Sequence, residues 1–155
     1  MIRMAEKGDI PRLIELLSEV LELHAKIRPD IFIPGTTKYT DEELEALLED
    51  VSKPIYVAAD DEDKVLGYAF CQLQEQPASN NMIPSRSMYI DDLCVDSSCR
   101  GRHIGEKLFE YVKEEARRLG CYEVTLNVWS GNDGAELFYE KMGIRTMKRY
   151  MEYIL

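Results

Sequence analysis

The sequence predicts one domain over residues 1–155, of α/β (α+β) class, with a mixed β-sheet flanked by helices. Three observations carry that expectation. Apolar residues recur at helical spacing in some stretches and alternate or run together in others, so both element types are present. Residues 55–59 and 65–73 are apolar runs joined by the polar turn Asp60, Asp61, Glu62, Asp63 and Lys64, the pattern of an antiparallel hairpin. A strand, a helix and a second strand then follow between residues 87 and 129. Joining two strands through a helix requires a crossover, which leaves them parallel.

In chain order, residues 2–5 read as a short strand. Asp9 is placed to cap the next helix, and Pro11 falls in its first turn, where a missing N–H costs little. Ile10, Leu13, Ile14, Leu17, Val20, Leu21 and His24 follow at helical spacing until Pro29 and Pro34 break the pattern. An acidic helix over 41–51 has Leu44, Leu47 and Leu48 as its stripe and Thr40 or Asp41 as its cap. Beyond the hairpin, residues 76–86 contain Pro77, Asn80, Asn81 and Pro84 and read as an exposed loop. The long strand 87–96 leads to a helix over about 105–119, with Leu108, Phe109, Val112 and Ala116 on its apolar face and Gly120 as its stop. A strand over 122–129, a turn at 130–134, a short helix over 135–142 and a strand-like tail over 144–155 complete the chain.

Composition narrows the function classes. With 45% hydrophobic and 31% charged residues, the chain has the makings of an ordinary folded core. No apolar run approaches the roughly 20 residues of a membrane span. Residues 1–7 lack the apolar stretch of a signal peptide, so a cytoplasmic protein without a membrane partner is expected. The formal net charge of −10 repels phosphate backbones and disfavours nucleic acid as a partner. The same acidity either suits a cationic substrate or serves solubility alone. Cys71, Cys94, Cys99 and Cys121 show no CxxC spacing and only two histidines are present, so no metal site and no disulfide framework is expected.

The informative stretch places Arg100, Gly101, Arg102, His103, Ile104 and Gly105 between a strand and the start of an amphipathic helix. Free N–H groups and the positive end of the helix dipole converge at such a turn, and the two arginines add charge suited to phosphate. The turn is neither a P-loop nor a GxGxxG fingerprint.

This turn resembles the acetyl-CoA pyrophosphate loop of the GNAT (GCN5-related N-acetyltransferase) superfamily, written Arg/Gln-x-x-Gly-x-Gly/Ala. Asn132, Ala135, Phe138, Tyr139, Glu140, Lys141, Gly143 and Ile144 resemble its second signature, and Ile2, Arg3, Ala5 and Asp9 its opening. Together these cover nearly the whole chain in the family's order. One departure stands out: His103 replaces the central glycine, and histidine tolerates positive φ better than most residues. The resemblance implies the family's centrally splayed sheet and acetyl-CoA as co-substrate. It also implies that Leu93, Cys94 and Val95 offer backbone groups to the pantetheine arm. The Leu93 N–H would meet the thioester carbonyl as an oxyanion contact. Residues Gly101, Arg102, His103, Ile104, Gly105 and Glu106 would face the pyrophosphate with Arg100 beside them, and Asn132 and Tyr139 would lie across the cleft. Many relatives are homodimers, and the tail is a candidate for pairing across an interface.

By resemblance the reaction is direct transfer to an amine, with Tyr139 protonating the departing thiolate; its plain alternative is a core aromatic beside Phe138. The strand itself points to a cleft, because Asp91 and Asp92 interrupt an otherwise apolar run. Alternation sends Asp91 to the face of Leu93 and Asp92 to the other. Asp91 is the candidate base, directly or through water, or else an ion-pair partner of a helix arginine; Asp92 is read as structural. Cys94 reads as a buried thiol, since no histidine is set to activate it. His24, Arg28, Asp30 and Phe32 fall where the family borders its acceptor site. The runner-up function is a non-catalytic acyl-CoA-binding regulatory domain, kept open by His103. No motif in residues 27–40 or 74–87 identifies the acceptor.

Overall fold

The computed structural model describes residues 1–155. Its elements are β1 (Ile2–Met4), α1 (Ile10–Ile27), α2 (Asp41–Glu49), β2 (Ile55–Ala59), β3 (Val65–Gln76), β4 (Ser85–Val95), α3 (Ile104–Arg118), β5 (Glu123–Leu126) and α4 (Asp133–Lys141). The sheet runs in the order β1-β2-β3-β4-β5. All neighbours are antiparallel except β4 and β5, which the α3 crossover makes parallel.

One face of the sheet packs on α1 and α2. Leu13, Leu16 and Leu17 of α1 and Leu44 of α2 are almost wholly buried there against Val57, Tyr68 and Phe70. Each such leucine contributes roughly 1.5–3 kcal/mol of burial, so packing more than propensity holds α1 in place. The other face packs on α3, whose Leu108, Phe109, Val112 and Ala116 meet Tyr56, Ala69, Met88 and Ile90. Tyr139 of α4 completes that layer. Thr40 caps α2, its hydroxyl accepting from the Glu43 N–H at 3.2 Å while the Glu43 carboxylate accepts from the Thr40 N–H at 3.2 Å. No helix is long and apolar enough to cross a membrane.

Four expectations need correction. Asp9 stands at the N-cap position of α1 but its side chain does not cap it; the carboxylate turns back over the 3-10 turn Lys7–Asp9, accepting from the Glu6 N–H at 2.8 Å and pairing with Arg3 at 2.8 Å. β5 stops at Leu126 because β4 pairs with it only from Ser87 to Ile90, and the two strands part beyond. The tail 144–155 is not a strand: no backbone hydrogen bond ties it to the chain after the Ile144 N–H reaches the Tyr139 carbonyl at 3.0 Å. A strand needs a neighbouring edge, and the tail has none within its own chain.

The fourth correction matters most. Phe70 stands opposite Asp92 and Cys71 opposite Ile90, which leaves Asp91 without an opposing residue. That is a β-bulge, and an extra residue cancels one step of alternation. Asp91 and Asp92 therefore both serve the α1/α2 face, where Asp91 meets Tyr39 and Asp92 meets Tyr68.

Candidate active site

Where β4 and β5 part, three sets of groups converge. The first is the turn before α3. Gly101 and His103 adopt φ values of 80° and 60°, and His103 takes the left-handed conformation expected at the glycine it replaces. A histidine can sit there without breaking the turn. None of the N–H groups from Gly101 to Glu106 has a backbone acceptor in the chain, and the first ladder bond runs from the Lys107 N–H to the His103 carbonyl at 3.1 Å. Six donors, the positive end of α3 and the exposed Arg100 and Arg102 form an anion cradle. Gly105 closes it against α4: a Cβ there would lie 3.3 Å from the Phe138 ring. The His103 ring turns to Glu106, Nδ1 to Oε2 at 2.9 Å, and Lys141 holds the same carboxylate at 3.1 Å. Those contacts keep the Glu106 carboxyl below its ordinary range.

The second set is the open edge of β4. The Asp96 N–H donates to the Leu66 carbonyl at 2.8 Å, which sets the parity of the ladder. Asp92, Cys94 and Asp96 direct their N–H groups at β3, whereas Leu93 and Val95 direct theirs into the gap that β5 does not cover. Cys94 is buried on the opposite layer, and burial pushes its thiol up to about 12, so it is no nucleophile at neutral pH. Behind the strand, Asp96 is held by Arg12 and by the Ser98 N–H at 2.8 Å.

The third set is polar and surrounds the parted strands. Tyr139 is buried edge-on to Phe109 and Phe138, with ring centroids 6.0 and 5.1 Å away. Its hydroxyl has no hydrogen-bond partner in the chain, yet no fully buried side-chain polar atom is unsatisfied. The hydroxyl is therefore reachable from solvent. Burial, then the Asp92 charge, raises the phenol well above its ordinary pKa and keeps it protonated. Asn132 caps α4, its Oδ1 accepting from the Ala135 N–H at 3.3 Å, and this leaves its amide N–H groups uncommitted.

Asp91 receives the Lys38 ammonium at 2.6 Å and the Tyr39 hydroxyl at 3.2 Å. Burial works against the Lys38 charge, but Asp91 more than offsets it and raises its pKa. Tyr39 also stacks on Phe70, which lays the loop before α2 over the carboxylates. Asp92 accepts from the Tyr68 hydroxyl at 2.7 Å, and desolvation pushes its carboxyl up to about 6 against the pull of Tyr68 and Lys38. Sequence reading missed Lys38, Tyr39 and Tyr68, whose roles depend on contacts 53, 52 and 24 residues away that no local pattern announces. His24 and Phe32 pack together at 5.2 Å, Phe32 meets Trp129 at 5.4 Å, and Arg28 binds both Asp30 and Glu152. Burial, then the Lys38 charge, lowers the His24 pKa, so this cluster reaches toward the ion pair at Asp91.

A cavity of about 220 Å³ lies elsewhere, between Met1, Ala59, Asp60, Arg102, Ile104 and Lys107. It touches neither Asp91 nor Tyr139. Next to Asp91 lies a narrow cleft lined by Tyr39, Phe70 and Cys71.

Comparison with known proteins agrees with this geometry. The family model described as the acetyltransferase (GNAT) family matches residues 17–144. The crystal structure of a variant protein from Bacillus halodurans has a TM-score of 0.96 at 30% identity, covering 100% of this chain and 99% of that one. Glucosamine 6-phosphate N-acetyltransferase of Arabidopsis thaliana is 38% identical over 56 residues, so the match spans 36% of this chain and only 36% of that relative. Thialysine N-epsilon-acetyltransferase of Bos taurus is 26% identical over 150 residues, 95% of this chain and 85% of that one.

Proposed function

The chain belongs to the acetyltransferase (GNAT) family, and from that premise we propose that it transfers acetyl from acetyl-CoA to a primary amine by direct attack in a ternary complex. An acyl-CoA is the co-substrate. The observation that carries this reading is the run of unbonded N–H groups from Gly101 to Glu106, set beside the end of β4 and against Phe138 of α4. The pyrophosphate occupies the cradle with Arg100 and Arg102 beside it, and backbone groups of Leu93, Cys94 and Val95 guide the pantetheine arm. The Leu93 N–H meets the thioester oxygen where negative charge grows during attack. Asn132 flanks the arm from the start of α4. Tyr139, kept protonated by its burial, gives its proton to the leaving thiolate.

Asp91 engages the acceptor. A primary ammonium, with a pKa of roughly 10.4 if lysine-like, must lose a proton before it attacks, and Asp91 receives it, directly or through water. The acidic surface, at net charge −10, favours a cationic acceptor over nucleic acid or an anionic membrane. That acceptor class also fits the activity in the name of the bovine relative. Four free cysteines suit the reducing cytoplasm, where we place the protein. The protein works as a homodimer, supported by the unpaired apolar tail.

Calorimetric titration with acetyl-CoA and with CoA tests the cleft. Micromolar binding that the Tyr139→Phe variant retains, with thiol release reduced by about 10²-fold or more in that variant, is the expected result. Absence of binding at millimolar acetyl-CoA rejects the reading. Binding without turnover on any amine replaces it with an acyl-CoA-binding regulatory domain.

A further inference from the structure

Resting on the acetyl-transfer reading, we propose that the chain acetylates itself. Lys38 is an acceptor built into the loop before α2, and its Nζ is the nitrogen that takes the acetyl group.

Three observations carry this inference. First, Lys38 already stands where that reading puts an acceptor amine. Its Nζ lies 2.6 Å from Asp91, and the Tyr39 hydroxyl meets the same carboxylate oxygen at 3.2 Å. Leu93, whose N–H meets the thioester oxygen in the same reading, is two residues further along β4, about 7 Å by strand rise. The Lys38 charge acts on Asp92, and the Asp92 charge acts on Tyr139, so amine, carboxylates and acid share one neighbourhood.

Second, the loop can deliver the amine. Residues 33–39 make no backbone–backbone hydrogen bond; they are held by the Gly35 N–H on Glu22 and by Tyr39 on Asp91 and Phe70. The flexible stem of lysine leaves Nζ able to turn from the carboxylate toward the thioester.

Third, Lys38 differs from the other ion-paired lysines. Lys7, Lys53, Lys113 and Lys141 meet Glu45, Asp50, Glu110 and Glu106, which belong to helices or to the end of one; Lys38 alone meets a carboxylate of the strand that parts from its neighbour. Its position also separates catalysed from uncatalysed acetylation. Uncatalysed attack on a thioester favours lysines that are open and easily deprotonated. Lys38 is 44% exposed against 77% for Lys7 and 70% for Lys141, and Asp91 holds its ammonium charged. Solution chemistry therefore reaches Lys38 late, and acetyl that arrives there first comes from the site.

The step balances. One Lys38 ammonium proton passes to Asp91, and the freed lone pair attacks the thioester carbon, forming the C–N bond and an oxyanion at the Leu93 N–H. The oxyanion collapses, the C–S bond breaks, and the thiolate takes the Tyr139 proton. The adduct nitrogen gives its second proton to the Tyr139 phenolate, and Asp91 releases its proton to water. The products are Nε-acetyl-Lys38, free CoA and one proton. The amide is neutral, so the ion pair with Asp91 is lost and the carboxylate opens to an outside amine.

The test incubates the full chain with acetyl-CoA and no added amine, and follows intact mass, the acetylated peptide and thiol release. The expected result is one acetyl group at Lys38 with one thiol released for it, at a rate constant unchanged as the protein is diluted. Tyr139→Phe slows that transfer by about 10²-fold or more. Lys38→Arg keeps the positive charge in the loop and leaves only slow acetylation at open lysines such as Lys7 and Lys141. Acetyl appearing at Lys7 or Lys141 as fast as at Lys38 overturns the proposal, as does a Lys38 rate that Tyr139→Phe leaves unchanged or that falls on dilution. An unmodified Lys38 in a chain that binds acetyl-CoA and acetylates putrescine overturns it too, and leaves the acetyl-transfer reading standing. A chain that binds no acetyl-CoA rejects that reading and this proposal together.

Discussion

Asp92 costs the fold something. Its carboxyl, about 6 in the folded chain against an ordinary 3.8, binds a proton more tightly folded than unfolded. The stability linked to that proton is therefore fully present below the unfolded value and lost as pH rises through about 6. Asp92→Asn, neutral at every pH, is expected to melt higher than wild type at pH 8, by about 2–4 °C for each kcal/mol regained, with the gain fading toward pH 4. Thermal melts at both pH values check this, and an equal shift at both contradicts it. His103 shows the opposite economy. Its left-handed φ was foreseeable from the glycine it replaces and from the tolerance of histidine for that region. Its ring contact with Glu106 was not foreseeable, because it depends on how the first turn of α3 winds.

At the scale of elements, the helices and the hairpin were legible because their apolar spacing is local. The anion cradle was legible for the same reason, its glycines and arginines being consecutive. The bulge was not. A bulge is a property of pairing, and Asp91 becomes the extra residue only when Phe70 meets Asp92 and Cys71 meets Ile90. Alternation counted along β4 alone set the two carboxylates on opposite faces, and their true arrangement gives the site its paired charge. The tail failed similarly, since its strand-like pattern finds no edge in its own chain. Met147, Tyr150, Met151, Tyr153, Ile154 and Leu155 stay exposed, and Glu152 is tethered to Arg28 at 2.6 Å. An unpaired apolar segment favours pairing with a second copy. Light scattering is expected to give twice 17.9 kDa for the full chain and a monomer after removal of residues 147–155. A monomeric full chain contradicts that pairing.

For the whole molecule, the sheet acts as a frame that opens at one place. β4 lies between β3, to which it is bonded along its length, and β5, to which it is bonded only as far as Ile90. The opening exposes backbone donors of Leu93 and Val95, α3 brings the anion cradle to one end, α4 brings Tyr139 across, and the loop before α2 covers the carboxylates. Fold class and the donor-rich turn before α3 could be read from order and spacing along the chain. The closure of the acceptor side by Lys38 and Tyr39 required the assembled fold.

The most direct test of direct acetyl transfer is the initial-velocity pattern of thiol release, with acetyl-CoA and a primary amine varied against each other. Intersecting lines, an amide product and no acetyl group left on a cysteine, Cys94 included, are the predicted result. Parallel lines with an acetylated cysteine would mean a covalent intermediate and contradict attack within a ternary complex.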